Sequence, residues 1–238
     1  MIEIVNAIII FSLIVIIYKY FEKQSYDVVF VRAQTNGKEY LVRNLADKQE
    51  AANRLGTIAI KLEKLVNIIK EMGYEKIYEK YLKDDVMSET EIKVKDKDTI
   101  QGQSGGSSES QVLEKEIKMK LKEDIERLVN NFDSSLLSEN TPENSFTSFT
   151  KNKQAMVYCL RDKKPNEPLV DDSVLLFVAY HEISHIFSKE IGHSPGFWAR
   201  FKLVLRIAMD HGLYKAIDYS KEPKEYCGVN VTSNPLFS

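Results

Sequence analysis

Three of the four histidines in this chain of 238 residues lie close together, and their spacing constrains the fold more than any other feature. His181 and His185 are four residues apart, with Glu182 directly after the first, and His193 follows after a short interval. Positions i and i+4 of a helix lie on the same face, so both imidazoles can reach one metal ion if the segment is helical. The pattern predicts a helix that carries two metal ligands and receives a third from beyond its C-terminal end.

The sequence around the first two histidines is typical of a buried helix, because it is apolar on nearly all sides. Residues 169–189 are expected to be helical. Asp171 or Asp172 suits the N-cap, and an acid in the first turn also suits the helix dipole. Gly192 suits the C-cap, since glycine readily adopts the left-handed conformation that ends many helices.

A second helix is predicted directly after the third histidine. Ser194 and Pro195 suit its N-cap and first position, and apolar residues recur at helical spacing to about His211. His193 would then lie between two helices, where a reversing chain can bring it over the first helix as a ligand; the alternative is a solvent-facing turn residue. Trp198 is expected to pack under the site as an ordinary core aromatic, and His211 to lie in the last turn, away from the metal.

The block from His181 to Trp198 resembles the SprT-like and WLM families of small zincin-type metallopeptidases. Those families carry H-E-x-x-H followed by H-x-x-x-F or H-x-x-x-F-W, and residues 193–198 match the second element. The resemblance covers about residues 147–212. It implies an α+β zincin-like domain with a central HExxH helix and a short antiparallel sheet. The tail over residues 218–228 resembles zincin-like proteins encoded by large DNA viruses of protists.

By this resemblance, His181, His185 and His193 hold a Zn²⁺ ion and Glu182 is the catalytic base. The implied reaction is hydrolysis of protein or peptide substrates, in which Glu182 takes a proton from a zinc-activated water and passes it to the leaving amine. The transition state also needs a hydrogen-bond donor besides zinc, and the candidate donors are Tyr226 and Tyr219.

A different class of function also fits the sequence: a non-catalytic membrane or virion assembly protein that keeps a zinc-stabilised zincin fold. The presence of Glu182 favours the enzyme, because a structural zinc site needs no base. SprT-like and WLM proteases are associated with proteins crosslinked to DNA. The formal net charge here is −2, however, and no basic tail is evident. Nucleic acid is therefore not the expected partner.

Residues 1–21 are apolar enough to predict a single transmembrane helix, which would extend about 30 Å. Lys19 and Lys23 follow the apolar run and no Lys or Arg precedes it, so the positive-inside rule predicts a single-pass protein with its C-terminal domain on the cytoplasmic side. The membrane would be a virion or host membrane if the protein is viral. A cleaved signal peptide and a buried helix are the alternatives.

The rest of the chain predicts a hairpin and helix module over residues 22–85, a flexible linker or loop over 86–112, and the metallopeptidase domain over 113–238. In the module, Asn36-Gly37 lies between two runs of alternating apolar and polar residues, which indicates a β-hairpin. An amphipathic helix should follow from about Ala46 to Met72 and end at Gly73. This helix is expected to bury its apolar stripe against a partner, and the peptidase domain itself is one candidate.

Two further features concern the predicted domain. Residues 155–160 read as a short strand before the metal-binding helix, and an exposed strand edge at this place can hold an extended peptide by backbone hydrogen bonds. Cys159 and Cys227 are too few for a disulfide-rich secreted scaffold. They can pair, but the simpler expectation is two reduced thiols.

Overall fold

A computed structural model describes residues 9–17, 27–85, 106–142 and 147–237. These residues form an α+β fold, as predicted, with a five-stranded sheet, packed helices and a two-stranded C-terminal hairpin. The strands are β1 Val28–Arg32, β2 Glu39–Arg43, β3 Leu137–Glu139, β4 Phe149–Lys151, β5 Ala155–Tyr158, β6 Lys224–Tyr226 and β7 Val229–Val231. The longer helices are α1 Lys48–Ile77, α2 Gly106–Asn131, α3 Asp172–Phe187 and α4 Pro195–Asp210.

The five-stranded sheet is mixed, so the predicted short antiparallel sheet is wrong. Its order is β1-β2-β3-β5-β4. The β1–β2 and β4–β5 pairs are antiparallel, whereas β2–β3 and β3–β5 are parallel. Parallel neighbours need a long crossover connection, and the chain between β2 and β3 provides one because it contains α1 and α2. The sheet therefore joins strands that are far apart in sequence.

The predicted N-terminal hairpin and the helix after it are confirmed. Val28 pairs with Arg43 and Arg32 with Glu39, in the antiparallel register expected of a hairpin. Helix α1 as a whole runs to Ile77, but Gly73, with φ 68° and ψ 169°, is not helical, so two helical segments meet at a kink there. The first segment therefore ends at Gly73, as predicted.

Helix α1 buries its apolar face against the sheet and against α2 and α3. The hairpin and helix module thus shares one hydrophobic core with the residues from β3 onward, and this identifies the partner of the amphipathic helix. Of the predicted linker 86–112, residues 86–105 lie outside the described residues, and residues 106–112 already belong to α2.

The predicted transmembrane anchor is corrected by this structure. Within the described ranges, no helix combines the length and the apolar character needed to cross a bilayer. Residues 1–8 and 18–21 of the predicted anchor lie outside the described residues. The prediction of a single-pass membrane protein is therefore wrong together with the anchor.

The two cysteines form a disulfide bond, so the expectation of two reduced thiols is wrong. Cys159 follows β5 and Cys227 lies in the turn between β6 and β7, and their Cα atoms are 6.4 Å apart. Both residues of that turn, Cys227 and Gly228, have positive φ, at 52° and 82°. This is the conformation of the tight turns that join twisted antiparallel strands. The fold brings together two residues that are separated by 68 positions in the sequence.

Candidate metal centre

Three imidazole side chains converge at the C-terminal half of α3. The Nε2 atom of His181 lies 3.3 Å from that of His185 and 2.9 Å from that of His193. The nearest ligand atoms of all three residues lie within 4.8 Å of one another. His181 and His185 are one helical turn apart on the same face of α3, and His193 comes from the segment between α3 and α4. The predicted juxtaposition of the three residues is therefore present.

The geometry and protonation of this cluster fit a metal ion such as Zn²⁺. Zinc–nitrogen distances of about 2.0–2.1 Å in a tetrahedral site place ligand nitrogens about 3.3–3.4 Å apart. The distance between His181 and His185 matches this value at 3.3 Å, and that between His181 and His193 is shorter, at 2.9 Å. Burial, together with the neighbouring histidines, lowers the pKa of His181 to about 3 and that of His185 to about 4. Both rings are thus neutral at physiological pH, and the neutral imidazole is the form that binds metals.

The capping residues that fix this geometry are mostly those predicted. The Asp171 carboxylate accepts a hydrogen bond from the backbone N–H of Ser173 at 2.8 Å and so begins α3. Ser194 begins α4 and accepts from the backbone N–H of Phe197 at 3.2 Å. Gly192 is not the C-cap of α3, because the helix ends at Phe187. With φ 74°, Gly192 instead turns the chain directly before His193.

Aromatic side chains of α4 pack against the histidine rings. Phe197 is fully buried, and its ring stacks on that of His185 with the centroids 4.2 Å apart. Phe201 is also buried, and its ring packs against that of His181 with the centroids 5.2 Å apart. Trp198 is not the core aromatic that was predicted: it is 42% exposed and lies beside His193, 5.8 Å between ring centroids. The buried position belongs to its neighbour Phe197.

Glu182 lies next to the histidines and is 3% exposed. The Thr150 hydroxyl, on β4, lies 2.9 Å from the Glu182 carboxylate and 2.9 Å from the Glu182 backbone carbonyl. Burial raises the pKa of Glu182 to about 7, and the hydrogen bond from Thr150 acts in the opposite direction. A carboxyl group with such a pKa can both accept and release a proton near neutral pH. Sequence analysis missed Thr150, which is 32 positions from Glu182.

A cleft of about 640 Å³ opens over this cluster. Its walls include all three histidines and Glu182, residues 148–150 of β4 and the segment before it, and residues 190–193 before α4. The predicted edge strand, β5, lies inside the sheet between β3 and β4, so it is not the strand that borders the cleft. That strand is β4, which is the last in the sheet order.

Two tyrosines were predicted as candidate hydrogen-bond donors to the transition state, and neither lines the cleft. The Tyr226 hydroxyl donates to the carbonyl of Cys159 at 2.8 Å and lies 2.7 Å from the Ser148 hydroxyl. Tyr219 is fully buried and packs against Phe177. His211 is outside the cluster, as expected, with its Nδ1 atom 2.9 Å from the Ile207 carbonyl.

Comparison with known proteins gives relatives from viruses. The chain is 27% identical to an uncharacterized protein of Acanthamoeba polyphaga mimivirus over 98% of its own length and 97% of the relative. It is 40% identical to an uncharacterized protein of Invertebrate iridescent virus 6, over 34% of this chain and 44% of the relative. It is 31% identical to an uncharacterized protein of Invertebrate iridescent virus 3, over 34% of this chain and 50% of the relative. No protein-family model and no solved structure matches the chain. The chain is thus similar along its whole length to a viral protein.

Proposed function

We propose that this protein is a zinc-dependent endopeptidase that hydrolyses peptide bonds in protein or peptide substrates. The observation that carries the proposal is the convergence of three histidine nitrogens beside the buried carboxylate of Glu182 in one cleft. Structural zinc sites are almost always closed by four protein ligands, whereas catalytic sites use three and leave a position open. In the part of the chain that the structure describes, the cluster consists of three residues.

The roles follow from the chemistry of the side chains. His181, His185 and His193 would hold the zinc ion, which, when bound, lowers the pKa of a coordinated water and polarises a carbonyl group. Glu182 accepts a proton from the attacking water and returns it to the amine that leaves. Burial, which raises the pKa of Glu182 to about 7, suits both steps, and the hydrogen bond from Thr150 holds the carboxylate in one orientation.

The cleft also suggests how a substrate would lie. Extended peptides commonly bind by adding a strand to the edge of a sheet. Strand β4 is last in the sheet order and borders the cleft, so we place the substrate along it, with its scissile bond over the histidines. Ile191, which also lines the cleft, is 93% exposed and offers an apolar contact for a substrate side chain.

The viral relatives support a viral origin for this chain, which we include in the proposal. The competing hypothesis is an assembly protein in which zinc only stabilises the fold. The burial of Glu182 beside the ligands favours the enzyme, because placing a carboxyl group out of water is costly and a structural site gains nothing from it.

Metal content is the first test. The full chain would be purified as wild type, His193→Ala and His211→Ala, and zinc would be measured by mass spectrometry after dialysis. We expect about one zinc per chain in the wild type and in His211→Ala, and a large loss in His193→Ala. A folded wild-type chain without affinity for zinc would overturn the proposal. Undiminished zinc in His193→Ala would show that the third ligand is another residue.

Proteolysis is the second test, with a denatured protein as substrate. Glu182→Gln is expected to keep the zinc of the wild type and to lose proteolysis, because the amide cannot accept the proton. The assembly hypothesis expects no zinc-dependent cleavage by either protein. Cleavage by Glu182→Gln at the wild-type rate would contradict the role given to Glu182.

A further inference from the structure

Lys153 makes an unusual set of contacts at the base of the cleft. It lies in the turn between β4 and β5, and its Nζ atom donates hydrogen bonds to the carbonyl oxygens of His185 at 2.8 Å, Ser188 at 2.6 Å and Glu190 at 3.0 Å. A lysine ammonium group has three hydrogens, so these contacts use its full donor capacity. All three acceptors belong to the segment that runs from the second histidine toward the third.

The three carbonyls lie in the last turn of α3 and in the segment directly after it. The last carbonyls of a helix have no partner within the helix, and a positive charge there is also favoured by the helix dipole. Helix α3 ends at Phe187, and Ser188 is already extended. Lys153 therefore binds the end of α3 and the strand-like segment after it with one group. That group joins the backbone of His185 to the chain that leads into His193.

Two further observations indicate that the surroundings hold Lys153 firmly. Asn152 and Lys153 have φ of 52° and 54°, a region that residues other than glycine adopt infrequently and keep only where neighbouring structure enforces it. The Lys153 side chain is also half-buried, so the three carbonyls replace part of the water that would otherwise surround its ammonium group. Three charge-assisted hydrogen bonds are a physical reason for the ammonium group to remain there.

We propose that Lys153 is a positioning residue of the metal site, which sets the distance between His185 and His193 by clamping the backbone between them. The proposal rests on the proposed function in one respect, because it requires that the three histidines bind a metal ion. A merely structural role would lower the stability of the fold but leave the affinity of folded protein for metal unchanged. The two roles therefore differ in a measurable quantity.

The test uses the full chain without metal, titrated with Co²⁺ alone and followed by the visible absorption of the bound ion, with folding checked by circular dichroism. Lys153→Met removes the ammonium donors and keeps an unbranched side chain as far as the Cε atom. We expect it to weaken Co²⁺ binding by about 10-fold to 100-fold, as for other groups that orient ligands, and to change the absorption spectrum. Lys151→Met, an exposed neighbour on β4, is the matched control and should stay within about twofold of the wild type.

A double-mutant cycle with His193→Ala shows whether Lys153 acts through that ligand. The loss caused by Lys153→Met should be much smaller when His193 is already absent, because the residue would then have one ligand fewer to position. Equal losses in both backgrounds would overturn the proposal. Lys153→Gln keeps an N–H donor and should lie between wild type and Lys153→Met; it carries the test if the methionine variant does not fold.

Wild-type affinity and an unchanged spectrum in folded Lys153→Met or Lys153→Gln would overturn the assignment of Lys153 and leave the proposed metal site intact. Failure of the wild-type chain itself to bind Co²⁺ is a different result, which would overturn the proposed function and this inference with it. The two failures are thus distinguished by the wild-type titration.

Discussion

The Thr150 hydroxyl donates a hydrogen bond of 2.9 Å to the carboxylate of Glu182 and so connects the strand that borders the cleft to the residue that would move the proton. Glu182 is buried on α3, and Thr150 supplies a polar partner for its carboxyl group. Because a hydrogen bond to the ionised carboxylate favours that form, it moderates the effect of burial. Strand and helix are thereby coupled through one polar contact.

Replacing Thr150 should therefore change the titration of Glu182. In metal-free protein, Thr150→Val is expected to raise the pKa of Glu182 further above its ordinary value than the present value of about 7, because only burial then acts on it. The pKa can be read from carboxyl carbon shifts in glutamate-labelled protein, with the signal assigned by its absence in Glu182→Gln. Thr150→Ser, which keeps the hydroxyl, should resemble the wild type. A lower pKa in Thr150→Val would contradict the contact.

Glu182→Gln is expected to stabilise the metal-free protein at alkaline pH. Since burial raises the pKa of Glu182 from 4.5 to about 7, the folded state holds a proton that the unfolded state releases, and stability falls as pH rises through this window. The glutamine variant does not titrate there. Its advantage over the wild type in the free energy of unfolding should grow by about 2–3 kcal/mol between pH 5 and pH 8. Urea unfolding of both proteins at pH 5 and at pH 8 measures this change. The same difference in the free energy of unfolding at both pH values would be evidence against the raised pKa of Glu182.

Asp124 offers a test of the packing behind the metal site. Its carboxylate, 3% exposed, pairs with Arg200 of α4 at 2.6 Å and with Arg127 of its own helix at 2.7 Å. Asp124→Asn removes the charge and leaves Arg200 buried without its counter-ion. We expect a loss of about 3–5 kcal/mol in the free energy of unfolding, measured in urea. The exposed neighbour Glu123→Gln should change it little; a similar effect of both variants would contradict the buried pair.

The disulfide should contribute to stability mainly by restricting the unfolded chain. Cys159 and Cys227 are separated by 68 positions, and closing a loop of that length is worth about 4 kcal/mol in the chain-entropy model. Cys159→Ser, Cys227→Ser and the double variant should lower the free energy of unfolding by similar amounts. A dithiol reductant should reproduce this loss in the wild type and have no effect on the double variant. If the reductant left the free energy of unfolding of the wild type unchanged, the disulfide would not contribute to stability as predicted.

Local spacing was sufficient to predict that the three histidines lie together, because helical periodicity places His181 and His185 on one face and because Ser194-Pro195 marks the start of α4. It was not sufficient to place Trp198. Successive helical residues point about 100° apart, so the same periodicity that buries Phe197 leaves Trp198 at the surface.

The remaining differences concern contacts between distant parts of the chain. Lys153 and Thr150 reach α3 from a turn and a strand that carry no motif of their own, and their contacts depend on the sheet order, which one sequence does not reveal. The same applies to the cysteine pair. At the N-terminus the apolar composition predicted a membrane span, whereas no helix in the described ranges is long and apolar enough to cross a bilayer.

The bond between Cys159 and Cys227 closes a covalent ring around the candidate metal centre, since His181, His185 and His193 all lie between the two cysteines. A single cut anywhere in that ring, including one made by another copy of the protein, would leave both pieces attached to each other. Such nicked molecules would migrate as intact chains in a non-reducing gel and separate only after reduction. Self-cleavage inside the ring would thus remain hidden unless the sample is reduced.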